Sequence, residues 1–196
     1  MNQAQPDCNK LHDQFVEHAR TDIHREGLEE LLSWIETTDF YTAPASARYH
    51  SCFPGGLCLH SLNVYKRILT KVSSDEDISR ESLAIVSLFH DLCKANFYKQ
   101  EMRNTKDENG QWIKVPYYTF DDQLPLGHGE KSMFLVQRYL HLTENEALAI
   151  RWHMGNFGLM IGSNEITALN NAMRKSRLMI MLQQADTEAA FWDETV

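Results

Sequence analysis

Residues 81–94, ESLAIVSLFHDLCK, constrain the chain more than any other stretch. Leu83, Ala84, Ile85, Val86, Leu88 and Phe89 leave no polar face wide enough for a surface helix, so the segment reads as a helix buried on most sides. It ends on His90 and Asp91, which places an imidazole and a carboxylate in or beside the core. A buried carboxylate costs several kcal/mol unless a positive group compensates it. Lys94, three residues on, is one compensator, and a metal ion is the other.

A metal needs further ligands, and the chain offers His60 in GGLCLHSLNVYKR, His128 in LGHGEKS and His153 in IRWHMGNFG. Each lies in or at the end of a helix-like segment. Asp186 follows Met179 and Leu182 by seven and four residues, which sets it on the same inward helical face. Mixed imidazole and carboxylate donors suit iron, manganese, nickel or zinc, whereas an all-oxygen set would suit magnesium or calcium.

The order His60, His90-Asp91, His128, His153, Asp186 resembles the HD-domain superfamily of metal-dependent phosphohydrolases. The likeness spans roughly residues 40–190. ARYHSCFPGGLCLHSLNV is similar to the segment carrying the family's first histidine, FHDLCK to the HD signature with its lysine, and GHGEKS and WHMG to the later histidine segments. The nearest subgroup is the HD domain of bacterial 3′-to-5′ exoribonucleases and related small hydrolases. The resemblance implies an all-α HD helical bundle carrying a small β-hairpin insertion. It implies that His60, His90, Asp91 and Asp186 hold one divalent transition metal, such as iron, manganese or nickel. In dinuclear members Asp91 would bridge to a second ion held by His128 and His153. Dinuclear relatives often carry a second histidine where this chain has Met154, and thioether is a poor ligand for a hard divalent ion, so the second site is one ligand short.

At 196 residues the chain suits one domain with a real core. The reading is a single domain over 1–196, with N-terminal helices over 1–40, a metal-binding core over 41–190 and a hairpin insertion over 96–120. No apolar stretch is long enough to cross a bilayer, and the N-terminus lacks a signal-peptide pattern, so a cytoplasmic location is expected. Cys8, Cys52, Cys58 and Cys93 match no zinc spacing and read as buried thiols. A formal net charge of −8 argues against long nucleic acid as a partner, which normally needs a basic groove. A small phosphorylated substrate is compatible with it, because a metal and a few lysines set the local field. A homo-oligomer stays open.

Along the chain, the apolar spacing over 8–36, broken near Gly27, predicts two helices. Thr42–Gly56 holds Pro44, Pro54 and a Gly55-Gly56 pair and reads as a loop leading to the His60 helix, on which His60, Val64 and Ile68 share the inward face. Ser73–Asp77 reads as a linker and Ser79 as an N-cap with Ser82 three residues on. NFYKQEMRNTK and QWIKVPYYTF flank DENG, whose Asn109-Gly110 signals a hairpin. Lying between the HD pair and His128, this hairpin is expected beside the metal, where a lid would form. Its Trp112, Tyr117 and Tyr118 serve either to stack on a base or to pack the hairpin. Segments 129–141, 143–153 and 163–190 read as helices, with Thr143 and Glu146 forming a capping box.

Beyond the ligands, Lys94 and Lys131 each follow a metal-binding segment by three residues and are candidates to meet phosphate, as are Arg48 and Arg151. His50 is read evenly as a substrate contact or a loop-stabilising residue. Glu130 is either the partner orienting His128 or a favourable acid in a first helical turn. His12, His18, His24 and His141 lie in polar contexts and are expected at the surface. The expected activity is hydrolysis of a phosphate ester of a nucleotide or nucleotide-like molecule by metal-activated water, with Asp91 and Lys94 as catalytic groups. Two other readings stand beside it: a non-catalytic nucleotide-sensing protein, and an exonuclease acting on short oligonucleotides.

Overall fold

The computed structural model describes residues 6–72, 78–160 and 162–194, so the Ser73–Asp77 linker lies outside the described residues. The elements in chain order are α1 (Cys8–Asp22), α2 (Leu28–Ile35), α3 (Gly56–Leu69), α4 (Arg80–Phe89), β1 (Tyr98–Lys106), β2 (Trp112–Phe120), α5 (His128–Gln137), α6 (Glu144–Trp152), α7 (Asn164–Lys175) and α8 (Arg177–Glu188). A 3₁₀ turn, Leu92–Lys94, follows α4, and a π-helical turn, Ala189–Asp193, follows α8. No helix among the described residues is long and apolar enough to cross a membrane.

α4 is the central element. Leu83 through Phe89 are all buried, and the helix packs against α1, α3, α6 and α8. Each large side chain so buried contributes roughly 1.5–3 kcal/mol, which anchors the residues that follow it. Ser79 caps α4 as expected, accepting from the Ser82 N–H at 3.0 Å. Ser87, the one polar residue inside the run, satisfies its hydroxyl by donating to the Leu83 carbonyl at 2.6 Å.

The break near Gly27 is a left-handed residue at φ 93° starting α2, and Gly55 at φ 84° starts α3 in the same way. At either position a side chain would strain the backbone and strike a neighbour: the Tyr139 carbonyl at Gly27, the Cys8 thiol at Gly55. His60, Val64 and Ile68 are all buried on the inward face of α3. Thr143 and Glu146 form the capping box of α6. Glu146 is fully buried and also accepts two hydrogen bonds from Arg25, at 2.7 and 3.0 Å, and one from Ser82 at 2.7 Å, tying α6 to the α1–α2 connection and to α4.

Two expectations need correction. The chain is not all-α: β1 and β2 form a nine-residue antiparallel ladder from Tyr98↔Phe120 to Lys106↔Trp112, so it is a mostly helical protein with a two-stranded sheet. Its β-branched and aromatic residues pair across strands and cannot present a helical apolar stripe. The segment 163–190 is two helices, because Ser176 leaves helical geometry (φ −124°, ψ 109°) and its hydroxyl accepts from the Met179 N–H to start α8. The hairpin expected at Asn109-Gly110 is present and turns through a three-residue loop. Only Gly110 has positive φ, and Asp107 closes the loop by pairing with the backbone of Asn109, Gly110 and Gln111.

Candidate metal centre

The residues that the sequence singles out as ligands meet at the ends of five helices. His90 is the C-cap of α4 and His153 the C-cap of α6, and the two use the same local device. Each ring folds back so that its Nδ1–H donates to the carbonyl three residues earlier, Ser87 in one case and Ile150 in the other, both at 2.8 Å. A carbonyl can only accept, so the proton sits on Nδ1 and the Nε2 lone pair faces inward. His60 on α3 places Nδ1 3.0 Å from a Glu194 carboxylate oxygen and Nε2 3.1 Å from Asp186 of α8. His128, first residue of α5, places Nδ1 3.2 Å from the Cys93 sulfur.

Asp91 lies between these rings. Its Oδ2 is 2.6 Å from the Lys94 ammonium, 3.7 Å from His60 Nε2 and 3.6 Å from His90 Nε2. Its Oδ1 is 2.9 Å from His128 Nε2 and 3.6 Å from His153 Nε2. The Nε2 atoms themselves approach in pairs, His60 to His90 at 3.3 Å and His128 to His153 at 3.1 Å. One carboxylate thus faces two imidazole pairs, one through each oxygen. Within this cluster the ligand atoms of His60, His90 and Asp186, of His90, Asp91 and His153, and of Asp91, Cys93 and His128 lie close enough to share an ion.

These residues fit a metal cation. Asp91 Oδ1 is buried and has no hydrogen-bond partner, although His128 Nε2 lies 2.9 Å away. The Nε2 atoms of His90 and His153 bring lone pairs toward that carboxylate and toward other ring nitrogens, an excess of acceptors that only a cation relieves. Nitrogen and carboxylate donors together match borderline transition ions.

The electrostatics agree with the contacts. Burial lowers the His90 imidazole to about 3, and burial also lowers His128, so both rings are neutral near pH 7. Burial alone would lower His60 as well, but its hydrogen bonds to Asp186 and Glu194 outweigh it and raise that ring to about 10. Burial would raise Asp91, yet Lys94 and the surrounding imidazoles hold it well below the usual carboxylate range. Without an ion, His60 therefore carries a proton that a metal would displace. Once it has left, the carboxylates of Asp91, Asp186 and Glu194 face the single ammonium of Lys94, and one divalent ion cancels the remaining charge.

The other residues of interest are placed as follows. Lys94 is spent on Asp91, and Lys131 is buried, 2.6 Å from Asp122 and over the Phe97 ring. Glu130 pairs with Arg151 rather than orienting His128; that orientation falls to the thiol of Cys93. Arg151 lies flat over Trp152 at 3.9 Å. Arg48 is exposed on the loop before α3. His50, on the same loop, sets its ring 5.0 Å from that of His60 at a tilt of 41°, and its Nε2 is buried without a partner. Among the remaining histidines His24 and His141 are exposed, while His12 and His18 are half-buried. All four cysteines are free; Cys58 and Cys93 are buried, Cys8 and Cys52 only half-buried. At the base of the hairpin Tyr98 donates to the Ala45 carbonyl at 3.3 Å, and Gln100 through Asn104 are exposed. Sequence reasoning missed Glu194, which follows the last helix with no periodicity to mark it.

No family model matches this sequence, and no curated protein and no solved structure matches it. Fold and site together define a mostly helical protein with a buried cluster of histidine, aspartate and cysteine side chains able to hold a metal ion.

Proposed function

We propose that the chain is a metal-dependent phosphohydrolase with an HD-type site, cleaving a phosphate ester of a nucleotide or nucleotide-like substrate. The observation that carries this reading is Asp91, whose two oxygens face two separate imidazole pairs while Lys94 holds one of them. His60, His90, Asp91 and Asp186 would hold one divalent transition ion, and Asp91, His128 and His153 a second. Such an ion supplies Lewis acidity toward a phosphoryl oxygen and makes a water acidic enough to attack near neutral pH. The protein's own groups do the rest. His90 and His153 are locked in one tautomer by backbone carbonyls, which removes any reorientation during reaction. Lys94 keeps a buried positive charge at the place where charge gathers on the phosphoryl oxygens. With two ions the centre would carry excess positive charge, which suits a phosphate dianion.

The test is elemental analysis of protein purified without chelators, with hydrolysis of nucleotides, cyclic nucleotides and short oligonucleotides measured in parallel. The parent is expected to carry a transition metal and to turn over at least one of these, and Asp91→Ala to lose both. Undiminished metal in Asp91→Ala, or a metal-loaded parent that hydrolyses none of the esters, would refute the reading.

A further inference from the structure

Beside the cluster, and separate from it, a cavity of about 370 Å³ opens between α5, the end of α6 and the start of α7. His128, Arg151, Trp152, Phe157, Leu159 and Glu165 are among its walls. Its size is within the range of small-molecule sites. It touches the metal centre through one residue, since His128 lines it and also stands 2.9 Å from Asp91. A ligand lying in it therefore starts within one nucleotide's reach of the cluster.

The lining chooses the chemistry. Among the described residues that line it, the one arginine or lysine is Arg151, already paired with Glu130 and pressed against the Trp152 ring. Glu165 lies 3.7 Å from Arg151, too far for a hydrogen bond, so its carboxylate keeps free acceptor capacity. Two carboxylates against one committed guanidinium repel a phosphate and accept from a neutral N–H donor. The remaining wall is apolar or bare backbone: Met154, Phe157 and Leu159, with Gly127, Gly155 and Gly158. A side chain on Gly158 would meet nothing within 4 Å, and Phe157 stands 79% exposed at the rim. An aromatic ring left in solvent beside a flat guanidinium–indole stack is suited to cover a planar ring.

We infer that this cavity binds the base of a nucleotide, with preference for one bearing an exocyclic amine, while the phosphate lies at the Asp91 cluster. The phosphate end rests on the phosphohydrolase reading above; the base end does not. A carboxylate that accepts from an amine discriminates by about tenfold or more against rings that present no N–H donor at that edge, because the acceptor is left unpaired.

Nucleosides carry no phosphate and test the cavity alone. Calorimetric titration of the full chain with adenosine, cytidine, purine riboside and 2-pyrimidinone riboside, the last two lacking both the amine and a ring N–H, is expected to show adenosine and cytidine binding about tenfold more tightly than the other two. Phe157→Ala is expected to weaken all four, and Glu165→Ala to remove the preference for the amine. Both residues are solvent-exposed, so neither change threatens folding. Failure of the parent to bind adenosine, or binding by both variants with parental affinity and preference, would overturn the inference. Either result leaves hydrolysis at the metal centre to be judged by its own assay; conversely, a parent that binds adenosine but hydrolyses no ester would retain the base site and sink the enzymatic reading.

Discussion

Lys94→Met separates the two candidates for compensating Asp91. In the ion-free protein Lys94 is nearly buried and lies 2.6 Å from an Asp91 carboxylate that is 3% exposed. Methionine keeps most of the stem's packing and removes only the charge. Breaking a buried ion pair from one side costs about 3–5 kcal/mol, because the remaining charge is stranded. The protonated His60 ring, 3.7 Å from the same oxygen, stays in place and argues for the lower end, near about 3 kcal/mol. For a chain of this size each kcal/mol is worth about 2–4 °C in melting temperature, so in chelator the variant should melt some 6–12 °C below the parent. A bound divalent ion takes over the compensation, and with saturating manganese or nickel the gap should close to within about 3 °C, as expected when a ligand favours the folded state of the more acidic variant. The assay is thermal unfolding by circular dichroism of both proteins with chelator and with metal. Equal gaps under the two conditions would refute the argument that metal and lysine answer the same charge, and no gap in chelator would show that Lys94 does not compensate Asp91.

Three other outcomes are expected. His128→Ala should retain metal at the His60, His90 and Asp186 side and slow hydrolysis at least about tenfold, measured by elemental analysis and steady-state kinetics; parental turnover would remove His128 from the site. Glu146→Ala should lower stability by about 3 kcal/mol, since it removes the fully buried partner of Arg25, which keeps only Glu81 and the His141 carbonyl, and breaks the α6 capping box. Burial raises Glu146 but its Arg25 hydrogen bonds outweigh that and hold it below its ordinary 4.5, so its contribution is complete above that pH and lost as the pH falls through the depressed value; melting curves from pH 6 to 3 should therefore converge for parent and variant, and parallel curves would contradict the assignment. Replacing Lys106–Gln111 by a shorter turn should leave metal content unchanged, because none of the candidate ligands lies within it; metal loss on shortening would show that the hairpin supports the centre.

What the sequence made legible follows from how local each signal is. The buried helix before His90, the Gly27 and Gly55 breaks, the Ser79 cap and the Thr143–Glu146 box are decided by a few adjacent residues. The inward placement of His60 and Asp186 follows from spacing by four and seven on a helix, and the structure brings Asp186 to 3.1 Å from His60 Nε2. Long-range partners were not legible. Nothing local tells that Glu194 returns to His60, that Arg151 takes Glu130, or that Lys131 is spent on Asp122, because each pair joins segments whose approach is fixed only by packing. The break at Ser176 was hidden for another reason: apolar residues continue on both sides of it, so periodicity outvotes one serine whose hydroxyl prefers to cap.

The repeated use of a histidine at a helix C-cap explains how the chain tolerates so many imidazoles in its core. The last carbonyls of a helix lack intrahelical donors, and in α4 and α6 the ring that closes the helix supplies one, at Ser87 and at Ile150. The same hydrogen bond that completes the helix also settles the tautomer and aims Nε2 at Asp91, so a need of the backbone and a need of the site are met by one contact. His60 and His128 stand elsewhere on their helices and have no such carbonyl; their Nδ1 atoms turn to Glu194 and Cys93 instead. The four rings are therefore unequal. The carbonyl-bound pair is fixed in its tautomer before any ion arrives and His90 is neutral, whereas His60 must give up a proton to its surroundings when one binds, which makes the His60 side of Asp91 the place where metal uptake depends on pH.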